Sequence, residues 1–460
     1  MSSRAHVVVA MVYLALAAPI HAQQTEGARP GRSLDQLGSV TFANSCTPSA
    51  QQTLQQGVAM LHSFWYNEGE RAFRAALAAD PGCTVAHWGI AALIMSNPLA
   101  GQGASPADAK RAIAGIEEGR ATPPRTQREK DYIEAVAAYY NDFDQRSERA
   151  RQEARAQAFE QLAARYPDDD EAQIFAALYM VALQSLADKT YSHYLKAAGI
   201  LEKQFSKYPN HPGVAHYLIH AYDAPPIAAK GLNAARRYAT IAPAAPHALH
   251  MPSHIFTRVG AWSDSAATNK RSADVAVKAQ DYDEAMHAAD YMVYAYLQMA
   301  RDDDARVVAE RFVSANFPSK RFAGPYARAA MPARYAVERG DWRAAAQLEV
   351  QPSKFAYADA MTHFARAVGA ARTGDAASAE QDVKKIAALR DSLIAEKNMY
   401  WAKEVEVSWL GASAWTALAR GQKDEALELM RRAADMEDGH EKHIVTPGRV
   451  APARELLGDM

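Results

Sequence analysis

Shifted by 34 residues, one stretch of this chain falls on the next. His211 to His220 (HPGVAHYLIH) lies over Ala245 to His254 (APHALHMPSH), so Pro212 meets Pro246, His216 meets His250 and His220 meets His254. A period of this length marks a solenoid of helix pairs, in which each unit buries its apolar face only against its neighbours. Proline suits the first turn of each helix. The rest of the chain agrees. After Cys46, apolar residues recur at spacings of three and four between short Gly, Pro and Asp breaks, and no segment alternates convincingly as a strand does. An all-α fold is predicted over residues 46–460, with helix pairs throughout. At 460 residues and 49% hydrophobic, the chain has enough apolar side chains for such a core.

The stretch from Gly57 to Ile94 has the clearest repeat signature. Gly57, Leu61, Tyr66, Ala72, Phe73 and Ala76 precede Asp80-Pro81, and Ala86, Trp88 and Gly89 follow. Small residues where two helices cross, then a helix-starting Asp-Pro, make the tetratricopeptide (TPR) pattern. Turns at Trp262-Ser263-Asp264, Asp302-Asp303-Asp304, Arg339-Gly340-Asp341, Arg372-Thr373-Gly374-Asp375 and Arg420-Gly421-Gln422 repeat its punctuation. Eight or nine degenerate pairs are expected, forming a superhelix whose concave groove is lined by the first helix of each pair. The segments Leu61–Tyr66, Asp80–Ala91, His216–Asp223, His250–Phe256 and Asp290–Gln298 resemble those of exported bacterial tetratricopeptide proteins. The resemblance covers nearly the whole mature chain. It implies fold and export and brings no activity with it.

Export is also expected from the N-terminus. Arg4 and His6 precede an apolar run from Val7 to Ala18, read as a cleavable signal peptide over residues 1–22. The run is too short to span a membrane, and no later stretch is long and apolar enough. Residues 23–45 read as a flexible lead-in. A periplasmic or secreted location permits a disulfide, so the two cysteines, Cys46 and Cys83, are expected to be bonded. Lys and Arg number 51 against 53 Asp and Glu, a net charge of -2, which removes the basic footprint of a nucleic-acid binder.

Seven of the 15 histidines fall between residues 211 and 290. His216 with His220, and His250 with His254, are i,i+4 pairs, each on one helix face. One repeat period separates the pairs, so both should face the same side of the solenoid, within a groove site spanning about residues 211–298. Asp223 adds a carboxylate after the first pair, and His287 with Asp290 adds an i,i+3 pair about one period on. Imidazoles and carboxylates in this arrangement are ligands for a transition metal such as zinc, copper or iron. Three or four of them are expected to share one ion, with water completing its shell. A polar groove without metal, or histidines bonded to carbonyls, are the alternatives left open. Pro252 either restarts or kinks the helix between His250 and His254.

Tyr291 and Tyr294 are candidate groove-lining residues. His62, Phe64, Trp65 and Tyr66 read mainly as core, and Glu404 and Glu406 as groove or surface charges. The polar stretch around His440 and His443 reads as a solvated interhelix loop or as one folded over the groove. Residues 452–460 are either a short capping helix or the start of a repeat that is cut. No Walker loop, dinucleotide fingerprint, nucleophile elbow or His-Glu-x-x-His is present. Two function classes follow. One is a metal site in the groove, either of an enzyme of hydrolytic or oxidative type acting on a small molecule or of a metal carrier. The other is a scaffold taking a peptide or protein partner.

Overall fold

The structure is a computed structural model that describes residues 36–460 apart from 102, 123, 124 and 320. The expected signal peptide and residues 23–35 of the lead-in lie outside the described residues. Among the described residues there are α-helices and short 3-10 turns but no strand.

Helices follow one another in antiparallel pairs, beginning with Pro48–His62 on Tyr66–Ala79 and ending with Met399–Ala419 on Lys423–Asp438. Each boundary has a local cause. Proline occupies the first turn of Pro48–His62, Pro106–Ala121 and Pro212–Ala221. Thr126 and Glu129 form a reciprocal capping box at the start of Gln127–Tyr140. Gly340, Gly374 and Gly421, in the turns read from sequence, have φ of 64°, 89° and 80°, a conformation that favours glycine.

The first helices of successive pairs also touch one another, so the array winds as a TPR-like solenoid. The winding is tight. Pro48–His62 packs against Pro212–Ala221, the first helix of a later pair. The approach depends on Gly213, where a Cβ would lie 2.2 Å from His62 Nδ1. The hydrophobic core is accordingly segmented. One cluster runs from Leu37 to Phe256, a second from Ala273 to Met331, and a third lies mainly between Phe322 and Leu456.

The lead-in is not free from residue 36 onward. Phe42 is fully buried, stacks on Trp88 at 5.0 Å and meets Tyr132 edge-on at 5.1 Å. An aromatic ring inserted into the core outweighs the polar, glycine-containing character of its neighbours. Cys46 and Cys83 form a disulfide with Cα atoms 4.7 Å apart, tying this segment to the loop after the first pair.

Residues 439–450 form a strap rather than a solvated loop. His440, Lys442, His443, Val445 and Thr446 are all buried. Arg334, itself fully buried, donates to the carbonyls of Gly448 and Arg449 at 2.9 and 2.8 Å, and Glu441 N donates to Leu186 O at 2.7 Å. The helix Ala453–Asp459 packs Leu456 and Leu457 onto the third core cluster.

Candidate metal centre

Three helical segments carry the groove histidines: Pro212–Ala221, the broken helix Pro246–His250 with Pro252–Arg258, and Tyr282–Gln298. At Pro252 the missing N–H interrupts the hydrogen-bond ladder. Met251 keeps helical dihedrals, φ -53° and ψ -36°, so the chain restarts almost in line. His250 and His254 therefore stay on one face.

The two i,i+4 pairs do come together, but as parts of two adjoining triads. His216, His220 and His247 form one, and His250, His254 and His287 the other. Within each triad the candidate ligand nitrogens lie within 4.8 Å of one another. Ring centroids of His220 and His254 are 5.7 Å apart, as are those of His247 and His250. All six imidazoles are buried. Burial, reinforced by neighbouring imidazoles, lowers the pKa of His216, His220 and His250 well below the usual value. Burial also lowers His254 against the pull of Asp223, and lowers His287 to about 3. These rings are neutral at pH 7, the form that binds metals.

Their hydrogen-bond partners then assign the protons. His250 Nδ1 donates to Asn269 Oδ1 at 2.7 Å, whose amide nitrogen donates in turn to Ser265 O at 2.8 Å. His254 Nδ1 donates to Asp223 Oδ2 at 2.8 Å. Each ring has used its proton on Nδ1, so both Nε2 atoms carry lone pairs, and they face each other at 3.0 Å. His287 Nδ1, buried beside them, has no hydrogen-bond partner. In this triad only the His287 proton is unplaced, and Tyr291 Oη, at 3.4 Å from His254 Nε2, is a distant donor. Two nitrogen ligands on one tetrahedral zinc sit about 3.3 Å apart, close to the spacing seen here. Anchoring of the distal ring nitrogen by a carboxylate or carbonyl is the usual outer shell of a metal-bound histidine.

The first triad is similar in part. His216 Nδ1 donates to His62 O at 2.6 Å, and its Nε2 meets His220 Nε2 at 3.1 Å. His247 Nδ1 faces Glu284 at 3.1 Å, leaving Nε2 buried and unpartnered. Here a proton on His220 Nε2 joins the pair by an ordinary hydrogen bond, so this triad makes the weaker demand for a cation.

A third cluster makes no such demand. His62 Nε2 and His211 Nε2 donate to the two oxygens of Glu171 at 2.9 and 3.1 Å. His62 Nδ1 accepts from Tyr217 at 2.9 Å, and His211 Nδ1 accepts from Val214 N at 3.3 Å. Every ring nitrogen is satisfied. Burial would raise Glu171, but the two histidines outweigh it and hold its carboxyl well below the usual range. These histidines fasten the first helix to the groove.

The two aspartates expected as ligands stand elsewhere. Asp223 lies behind His254 and also accepts from Arg258 Nε at 2.7 Å. Burial would raise its pKa, but Lys442, Arg258 and the His254 bond outweigh burial. Asp290 faces Arg334 Nε at 3.6 Å and belongs to neither triad. Burial raises its pKa to about 6 against the pull of Arg334, and neither of its oxygens has a hydrogen-bond partner. Tyr291 Oη is 3.4 Å from His254 Nε2 and also reaches Ile444 O on the strap at 3.2 Å. Tyr294 instead packs on Trp262 and under Arg334.

Sequence reasoning passed over His247, although it is i,i+3 from His250 on the same short helix. It has no counterpart one period earlier, because that position is Gly213 and His62 occupies the space beside it. Glu404 is more than a surface charge. Half-buried, it accepts from His440 and Arg449 and holds the strap. Glu406 pairs with Arg390 at the surface.

A cavity of about 370 Å³ leads to the triads, with His220, His247, His254 and His287 on one wall and Ile444 and Val445 of the strap on another.

No family model and no curated protein matches the sequence. Among solved structures, yeast Tom70 is similar at 10% identity over 84% of this chain and 85% of its own, with a TM-score of 0.41. The APC/C hetero-tetramer Cut9–Hcn1 is similar at 10% identity over 92% of this chain and 78% of that one, with a TM-score of 0.39. The TPR domain of P58(IPK) gives 11% identity over 89% of this chain and 98% of that one, with a TM-score of 0.23. The all-α solenoid rests on the helix packing of this chain itself.

Proposed function

We propose that this TPR-like scaffold holds a transition metal in its groove, at His250, His254 and His287, with the adjoining His216, His220 and His247 as a second position. The observation that carries the reading is the 3.0 Å approach of two Nε2 atoms whose protons are already placed on Nδ1. Unrelieved, a buried polar atom without a partner costs about 1–3 kcal/mol. A cation between the rings turns that cost into binding. All-nitrogen ligation suits zinc, copper or iron. With an open position, such an ion polarises a bound water or activates oxygen, so a hydrolytic or oxidative enzyme and a metal carrier are both forms of this reading. Export belongs to the proposal, supported by the N-terminal apolar run and the Cys46–Cys83 bond.

The test is elemental analysis of protein purified without a histidine tag. At least one transition-metal ion per chain is expected, lost in His254→Ala. Metal-free protein that takes up neither zinc, copper nor iron on titration would defeat the reading.

A second reading, a scaffold for a peptide or protein partner, is favoured by the solenoid, whose concave face commonly takes such ligands. Here the strap occupies part of that groove. A partner captured by metal-free protein as well as by loaded protein would favour it.

A further inference from the structure

Beside the histidine cavity lies a larger one of about 740 Å³, with Gly101, Val181 and Gln184 on one side and Phe355, Tyr357, Tyr400 and Trp401 on the other. The two cavities share wall residues His220, Ala100, Lys354, Phe355 and Ile444. The outer cavity is thus a vestibule to the triads. Its size is that of an ordinary small-ligand site.

Its wall chemistry is specific. Tyr357 and Trp401 stack at 4.0 Å, and Tyr400 meets Trp401 edge-on at 5.2 Å, giving a continuous aromatic side. Lys354, Lys397, Lys403 and Arg149 line the cavity, against Glu396 as its one carboxylate. Arg149 is already paired with Glu153. Among the described residues no ion pair engages Lys354, Lys397 or Lys403, and Lys354 Nζ lies 5.1 Å from the centre of the Phe355 ring. A cavity lined by three lysines without ion pairs, Lys354 and Lys397 exposed, beside an aromatic wall attracts a negative charge carried on a flat ring. A neutral polar molecule would leave the lysines unused. A plain inorganic anion would leave the aromatic side uncovered.

We infer that the vestibule binds a small aromatic carboxylate and presents it at His220, beside the triads. This rests on the metal reading only for what the ligand is brought to; the binding itself belongs to the vestibule.

The test is calorimetric titration of 2-naphthoate into the full chain, untreated and chelator-treated, with 2-naphthalenemethanol as the neutral control. Naphthoate is expected to bind both preparations at least tenfold more tightly than the alcohol. Lys397→Glu with Lys403→Glu should weaken it at least tenfold while the far-ultraviolet circular dichroism is unchanged. Phe355→Ala should weaken naphthoate and alcohol alike. His254→Ala should leave naphthoate binding intact, so loss of the metal reading and loss of this one are told apart. Binding that disappears on chelation would place the carboxylate on the ion and overturn the vestibule. So would equal affinity for acid and alcohol, insensitivity to the double charge reversal, or no binding at all.

Discussion

His250 Nε2 and His254 Nε2 lie 3.0 Å apart with both rings fastened through Nδ1, one to Asn269 and the other to Asp223. The fastening matters more than the distance. His216 and His220 approach to 3.1 Å, yet one proton on His220 satisfies that pair. For His250 and His254 a proton between them requires a charged ring, which burial opposes in both. A cation resolves the contact without charging either ring.

The anchors are therefore expected to set metal affinity. Asn269→Ala and Asp223→Asn should each weaken the ion by about 10–100-fold, the usual consequence of removing an outer-shell partner. Competition with a chromophoric chelator measures it. Affinity unchanged in both variants would mean that the anchors do not tune the site.

The His62–Glu171–His211 cluster should behave as a fastening. Glu171→Ala leaves two buried histidines without their shared acceptor and should destabilise the fold by roughly 3–5 kcal/mol, the range for breaking a buried pair. Urea unfolding would show it, with metal content of the folded protein unchanged. Loss of metal at unchanged stability would make this cluster a ligand site instead.

The disulfide closes a loop of 37 residues. Cys46→Ser with Cys83→Ser should cost about 3–4 kcal/mol, chiefly through the freer unfolded chain. The lead-in around Phe42 should then gain hydrogen exchange before the rest of the first pair. Uniform exchange across the domain would argue that Phe42 packs independently of the bond.

The strap should respond to acid. His443 donates from Nε2 to Ala100 O at 3.2 Å and accepts at Nδ1 from Val445 N at 3.2 Å, so its neutral form is satisfied on both sides. Burial lowers its pKa to about 4. Unfolded, the ring titrates near 6.5, so the stability it contributes is complete above about pH 6.5 and is lost as pH falls toward 4. The whole effect is about 3 kcal/mol. Hydrogen exchange of residues 440–446 should rise across that window, and His443→Gln should flatten the dependence.

The helix Ala453–Asp459 should stabilise the helix pair it packs on. Leu456 is buried, and Leu456→Ala should cost about 2–3 kcal/mol by the cavity it leaves. Deleting residues 452–460 should lower the melting temperature further. An unchanged melting temperature would mean that this packing adds no stability.

The sequence by itself determined the helix pairs, the groove-facing register of the two histidine pairs and the pairing partner of each cysteine. These depend on local periodicity, on proline and glycine at fixed offsets, and on there being only two cysteines. A period of 34 residues returns a side chain to the same face whatever the rest of the chain does. Which atoms meet across that face was decided by the tertiary structure. The tight winding brings His62 beside Gly213, so the first triad takes its third member from His247. Asp290 stands opposite Arg334 and belongs to neither triad, and Arg258 and His254 share Asp223. The strap joins Glu404 to His440 across 36 residues, and Glu441 N to Leu186 O across far more. Contacts of that range have no period, because they depend on how far each repeat rotates on the last. That rotation is the sum of many small packing differences, and no local pattern in the chain encodes it.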